Sequence, residues 1–102
     1  MSALFVEWED FSRLDAEGYD MCLVARIYFK AGGYQRGFPT SWDEPGEAER
    51  FEDIEFLRAE LDPIYCKGET PLTEAEIAAC RAWFETDEAQ ASAQLAALRE
   101  YA

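Results

Sequence analysis

The clearest periodic pattern in the chain lies between Tyr19 and Lys30, where apolar residues occupy every second position. The residues between them change from apolar to polar towards Lys30. Such alternation is typical of a strand that packs one face on a core. It predicts a strand over 19–30, with Gly32 and Gly33 ending it. The set predicted to face the core is Met21, Leu23, Ala25, Ile27 and Phe29.

The N-terminal end shows helical spacing instead. Ser2 is placed to cap a helix and Gly18 to end it, so the pattern predicts a helix from Ala3 to Ala16. A strand over Leu4 to Glu9 is the alternative. The apolar residues that lie three or four positions apart are Leu4, Trp8, Phe11 and Leu14.

The segment from Arg50 to Leu61 fits two structures. Apolar residues at 51, 54, 57 and 61 fit a helix. A long strand at 19–30, however, needs a partner for its backbone N–H and C=O groups. We therefore predict a strand over Phe51 to Leu57 that pairs antiparallel with it.

The C-terminal third predicts helices. Thr73 and Glu76 have the spacing of a capping box, in which each side chain binds a free backbone N–H, and they open a helix that extends to Phe84. Its predicted buried stripe is Ile77, Cys80, Trp83 and Phe84. Thr86 or Asp87 caps a second helical stretch, and whether the two stretches form one bent helix stays open. The apolar face predicted for the second stretch is Ala91, Leu95, Leu98 and Ala102.

These elements predict one α+β domain over residues 1–102, with a small antiparallel sheet of two to four strands packed against two or three helices. No apolar run approaches the length that spans a membrane. The acidic N-terminal residues Glu7, Glu9 and Asp10 are unlike a targeting segment. These features favour a cytoplasmic protein.

The distribution of charged residues along the chain indicates what kind of partner the protein could bind. The chain has 22 Asp and Glu against nine Lys and Arg, a formal net charge of −13. No acidic residue occurs from Met21 to Trp42, whereas the stretch from Asp43 to Asp62 has nine carboxylates against Arg50 and Arg58. This excess is greater than solubility requires, and it produces a strong field around the protein.

The residues that usually perform catalysis are missing from the chain. It has no histidine, no G-x-S-x-G elbow and no phosphate-binding loop, so we predict that it is not an enzyme and needs no cofactor. Cys22, Cys66 and Cys80 are odd in number and form no CxxC, which predicts reduced thiols rather than disulfides or zinc. The stretch 43–49 lacks the order of an EF-hand loop, so we predict no metal site.

The acidic residues themselves are the candidate partner-binding surface. Alternate residues of a strand lie about 7 Å apart. Phosphates of one DNA strand recur about every 3.4 Å along the helix axis. Because they also wind around that axis, the distance between neighbouring phosphates is similar to the spacing of alternate strand residues. A basic nucleic-acid-binding protein or complex is therefore the predicted partner, while simple solubility is the alternative role. The candidate residues are Asp43, Glu44, Glu47, Glu49, Glu52, Asp53 and Glu55.

A second candidate surface is aromatic. Tyr34, Phe38 and Trp42 lie in a segment rich in Gly and Pro, where they either cover the core or contact a partner. The second role would make the protein an assembly or adaptor protein. The basic stretch of one copy could also pair with the acidic stretch of another, giving a homodimer.

The order of segments resembles short proteins encoded by phages and mobile elements. It consists of a basic aromatic strand (25–30), a Gly/Pro/Tyr region (32–45), an acidic strand (51–57) and a helix opened by 72–76, about two-thirds of the chain. Some compact acidic proteins of that setting are anti-CRISPR or anti-restriction inhibitors that mimic DNA. The resemblance implies an inhibitor that blocks a nucleic-acid-binding surface of a host defence complex of the CRISPR type in a bacterial cytoplasm. It assigns no role to a particular residue.

Overall fold

Three consecutive strands build an antiparallel sheet, and two helices follow them. The computed structural model describes residues 4–15, 17–37 and 49–101. The sheet has the order β1-β2-β3, so β1 and β3 are its edge strands. The α+β architecture predicted from the sequence is thus confirmed. The elements are β1 (Leu4–Leu14), β2 (Asp20–Gln35), β3 (Arg50–Leu61), α1 (Glu74–Phe84) and α2 (Asp87–Tyr101).

Strand β2 has the predicted alternation and forms the centre of the sheet. Leu23, Ala25, Ile27 and Phe29 are buried and Met21 is half-buried. The predicted antiparallel pairing with β3 is also confirmed.

The prediction that Gly32 and Gly33 end β2 is wrong, because the strand continues to Gln35. Gly33 has a φ of +65°, and a Cβ atom there would lie 3.1 Å from Asp53 Oδ2 and 3.2 Å from Glu52 Cβ. The glycine therefore lets the strand continue through a left-handed position beside β3, instead of stopping it.

Strand β1 corrects the prediction of a helix over 3–16. It pairs antiparallel with β2, and its register shifts between Trp8 and Phe11. Val6 and Phe11 are buried, whereas Leu14, which the helical pattern placed on the core, is 64% exposed. An irregularity of this kind lets two stretches of one strand present apolar residues to the same core although their spacing is not two.

The predicted capping box opens α1. Thr73 Oγ1 accepts from the N–H of Glu76 at 3.2 Å, and Glu76 Oε1 accepts from the N–H of Thr73 at 2.9 Å. Cys80 and Phe84 are buried, as predicted. The ring of Phe84 lies 5.7 Å from that of Phe29 and 6.1 Å from that of Phe56, so it joins α1 to both long strands.

Helix α2 is separate from α1 and packs by a different face from the one predicted. Thr86 Oγ1 accepts from the N–H of Ala89 at 3.3 Å and caps it. Of the predicted face, Leu98 is half-buried and packs against the core, whereas Leu95 is 59% exposed, and Ala102 lies outside the described residues. Small side chains let a helix approach a sheet closely, which explains why α2 packs by a face of alanines. The buried residues of α2 are Ala89, Ala93 and Ala97.

Arg13 joins the end of β1 to the start of α1. Its Nε and Nη2 donate to the two carboxylate oxygens of Glu76 at 2.9 and 2.8 Å. Its Nη1 donates to the carbonyl and hydroxyl oxygens of Thr70, both at 3.0 Å. The guanidinium hydrogen bond, with a smaller contribution from the Thr73 N–H, lowers the pKa of Glu76 from 4.5 to about 2.

All three cysteines are free thiols, in line with the sequence. Cys66 and Cys80 are buried and Cys22 is exposed. Burial raises the pKa of Cys80 to about 11. Among the helices of the described ranges, none has the length and apolar character needed to cross a bilayer.

Candidate functional site

Four of the seven predicted acidic site residues lie in the described part of the chain. Glu49 directly precedes β3, and Glu52, Asp53 and Glu55 belong to its first half; all four side chains are exposed. We call these four residues the acidic edge, since β3 is an edge strand. The predicted residues Asp43, Glu44, Glu47, Phe38 and Trp42 lie outside the described residues.

The acids at the other end of β3 are paired within the protein. Asp62 Oδ2 lies 3.3 Å from Arg26 Nη2, and Glu60 Oε2 lies 3.1 Å from Arg58 Nη1. The hydroxyl of Tyr28 donates to Glu60 Oε1 at 2.7 Å. This hydrogen bond, and then Arg58, lower the pKa of Glu60. Asp62 accepts from two backbone N–H groups of the turn that follows β3, and these bonds are the main cause of its lowered pKa.

The same arginines stack on aromatic rings. The sheet face opposite the helices, which we call the open face, carries Arg26 above the ring of Phe5 at 4.4 Å and Arg58 above that of Tyr28 at 3.9 Å. The two rings lie 5.8 Å apart. Arg26 of β2 is therefore engaged inside the protein, near the second half of β3, which restricts its availability to a second copy.

The acidic edge differs from the second half of β3 in its charge pairing. Within the described ranges, no Lys or Arg nitrogen lies within 4.0 Å of a carboxylate of these four residues. Lys30 faces Glu55 in register, but no nitrogen–oxygen contact within 4.0 Å joins the two side chains. Because side chains alternate along a strand, Asp53 and Glu55 share the open face with Lys30, while Glu52 lies on the helix side. Exposed carboxylates without an internal cation keep their attraction for an external one.

Gln94 of α2 covers one position of the β3 edge. Its side-chain Oε1 accepts from the N–H of Phe51 at 2.8 Å, and its Nε2 donates to the carbonyl of Phe51 at 2.6 Å. The amide side chain thus takes the place that a neighbouring strand would occupy. Covering an edge in this way protects it from unwanted pairing.

We expect Gln94→Glu to lower the free energy of unfolding by about 1–2 kcal/mol, because the carboxylate has no donor for the half-buried Phe51 carbonyl. Urea unfolding at neutral pH measures the change. Gln94→Ala removes both bonds and should lose at least as much. A stable Gln94→Glu variant would show that solvent satisfies this carbonyl.

The aromatic alternative is represented in the described residues by Tyr34. Its ring is half-buried and lies 5.4 Å from that of Phe51. It therefore makes an internal contact at the start of the acidic edge.

The chemistry available at the acidic edge is that of an exposed anionic surface. A shallow cleft beside it is lined by Lys30, Gly32, Glu52, Asp53, Ile54 and Glu55. Across the ranges 4–15, 17–37 and 49–101, no three residues of the types His, Cys, Asp and Glu are grouped to hold a metal ion.

Sequence reasoning missed Gln94 and the stacked arginines. No periodic signal connects a helical glutamine with a strand 43 residues away. The sequence contains a weak indication of the cation–aromatic pairs. Arg26 and Tyr28 alternate with core residues on one strand, so both are expected on the face opposite the core.

Comparisons with protein-family models, with curated proteins and with solved structures gave no match.

Proposed function

We propose that this protein is a non-catalytic acidic binding protein, an inhibitor that presents the acidic edge to a cationic nucleic-acid-binding surface in place of phosphates. The observation that carries the proposal is the division of β3. Its second half pairs Glu60 and Asp62 with arginines, whereas the acidic edge is exposed and has no cation within ion-pair distance in the described chain.

The spacing of the acidic edge supports this role. Asp53 and Glu55 lie two residues apart on one face, about 7 Å, which is similar to the separation of neighbouring phosphates. The formal net charge of −13 adds a long-range attraction to a basic groove and repels nucleic acid itself. We therefore propose a protein partner and no direct contact with DNA or RNA.

The class of target follows from the resemblance of the segments to anti-CRISPR and anti-restriction inhibitors. A guide-dependent or restriction complex of a bacterial host holds its nucleic acid in a positively charged channel. The acidic edge would compete for that channel in the bacterial cytoplasm.

The test is a displacement assay with purified bacterial defence complexes and a fluorescent duplex. We expect the wild-type protein to displace the duplex, and less strongly as salt rises. The variant Glu52→Lys/Asp53→Lys/Glu55→Lys should be about 100-fold weaker at low salt, which corresponds to ~1 kcal/mol for each reversed charge.

The matched control reverses three exposed acids elsewhere, Glu9→Lys/Glu17→Lys/Glu100→Lys. Each triple variant gains six charges, so both have a formal net charge of −7 instead of −13. The control should keep most of the inhibition. If both variants inhibit equally weakly, the inhibition depends on net charge and not on the acidic edge. If neither variant changes the inhibition, the proposal is contradicted.

A further inference from the structure

The contact between Gln94 and Phe51 shows which way the backbone of β3 points. In an antiparallel strand the N–H and C=O of one residue point to the same side, and successive residues alternate. Both groups of Phe51 bind Gln94, so they point away from β2. The register is regular from Phe51 to Phe56, because its irregularity comes after Phe56. The backbone groups of Asp53 and Glu55 therefore point to the outer edge as well.

These edge-facing groups have no partner in the described chain. Among residues 4–15, 17–37 and 49–101, the backbone hydrogen bonds outside the helices and strands do not involve Asp53 or Glu55, and neither do those made by side chains. An edge with unpaired N–H and C=O groups is a template for another strand. At Phe51 the protein covers this template itself, and two residues later no described residue does.

The side chains around the edge define which strand would fit. On the open face an added strand would lie beside the carboxylates of Asp53 and Glu55. On the helix side it would lie beside the exposed Glu52 and the half-buried Ile54. A cleft runs there between β3 and the helices, with Phe56, Phe84 and Gln90 among its lining residues. The open-face side of the added strand thus meets anions. Its other side meets a cleft of mixed character, in which Ile54, Phe56 and Phe84 offer apolar contact beside the polar Arg81, Glu85 and Gln90.

We propose that the β3 edge at Asp53 and Glu55 binds an extended basic segment of a partner protein as a fourth strand. Lysine or arginine residues of this segment alternate with apolar ones. Charge complementarity selects this occupant, since backbone hydrogen bonds of an edge provide affinity and alternate side chains provide specificity. A second copy fits less well, because pairing β3 with β3 at this position brings Asp53 and Glu55 near their own counterparts. This inference rests on the proposed function and specifies how the acidic edge binds its partner.

The probe is a fluorescent nine-residue peptide of alternating lysine and valine, titrated with the whole protein at low salt. In an extended peptide all lysine N–H groups point to one side and all valine N–H groups to the other. Two further peptides carry N-methyl groups on the central lysines or on the central valines. Strand addition predicts that one methylated peptide binds about tenfold more weakly than the other, a loss equivalent to one or two net hydrogen bonds. The weakened peptide reveals the strand direction.

Equal affinities of the two methylated peptides would overturn strand addition. The variant Asp53→Lys/Glu55→Lys, with Glu9→Lys/Glu17→Lys as control, distinguishes a failure of strand addition from a failure of the proposed function. If the charge reversal weakens binding while methylation has equal effects, electrostatic capture stands and strand addition fails. If the reversal changes nothing, the cationic partner and the proposed function both fail. Light scattering of the protein alone completes the test, since a dimer that the peptide dissociates would assign the edge to a second copy.

Discussion

Replacing Phe84 with alanine is expected to lower the free energy of unfolding by about 3–5 kcal/mol, the usual cost of truncating a buried aromatic residue. The side chain is 2% exposed, and its ring contacts those of Phe29 on β2 and Phe56 on β3. Truncation leaves a cavity between α1 and the two longest strands. For a domain whose total stability is typically 5–15 kcal/mol, this is a large fraction. Urea denaturation followed by circular dichroism measures it.

The matched control is Leu95→Ala in α2. The sequence pattern placed Leu95 on the core, whereas the structure exposes 59% of it. We therefore expect a change within about 0.5 kcal/mol. A loss at Leu95 similar to that at Phe84 would mean that α2 packs by the other face and would contradict the structure.

Replacing Glu76 with glutamine is expected to lower the free energy of unfolding by about 2–3 kcal/mol at pH 7. The pKa of Glu76 falls from 4.5 to about 2 on folding, chiefly through the hydrogen bond from Arg13. A carboxyl whose pKa is lower in the folded state stabilises the protein fully above the unfolded pKa, and this stabilisation disappears as pH falls towards the folded pKa. The stability gap between wild type and Glu76→Gln should therefore close between about pH 5 and pH 2. Glutamine keeps the side-chain length and can still accept from the N–H of Thr73.

The measurement is urea unfolding of both proteins at a series of pH values. Glu60 and Asp62 also have lowered pKa values, so the wild type loses further stability in acid. Both proteins share these two groups, and the difference between them isolates Glu76. Glu100→Gln, at an exposed position near the end of α2, should match the wild type throughout. A gap that stays constant with pH would show that the substitution acts by packing instead of charge.

The sequence predicted those elements whose pattern is undisturbed. Alternation in β2 is regular because every second residue packs on one core, and the capping box of α1 depends only on Thr73 and Glu76. β1 was predicted wrongly because its register shifts between Trp8 and Phe11. The shift changes the spacing of apolar residues from two to three, and together with Leu4 this imitates a helical period.

The face of α2 was predicted wrongly for a different reason. The pattern gave weight to the large residues Leu95 and Leu98, of which only Leu98 contacts the core, whereas Ala93 and its neighbours on the same face are fully buried. A periodic pattern describes which residues share a face and does not describe how closely the face approaches its partner. Likewise, Gly33 indicated a break, although a strand can pass through a left-handed glycine.

At the candidate site, the exposure of Glu52, Asp53 and Glu55 follows from their charge and was predictable. If the segment is predicted as a strand and not as a helix, the alternation of side chains also predicts that Asp53 and Glu55 lie on one face and Glu52 on the other. The contrast with Glu60 was not predictable, since its partner Tyr28 lies 32 positions away and pairs with it only through the sheet register. The partner, the inhibitory role and the aromatic interface stay predictions.

The element order has a consequence for how the protein is made. In the described chain the three strands precede the two helices, so the strands of a growing chain emerge from the ribosome before residues 74–101 do. Until then the apolar face with Val6, Ile27 and Phe29 lacks the cover that the two helices provide. Such a nascent sheet is prone to aggregate, and the repulsion among its surplus carboxylates opposes that aggregation until the helices close over it.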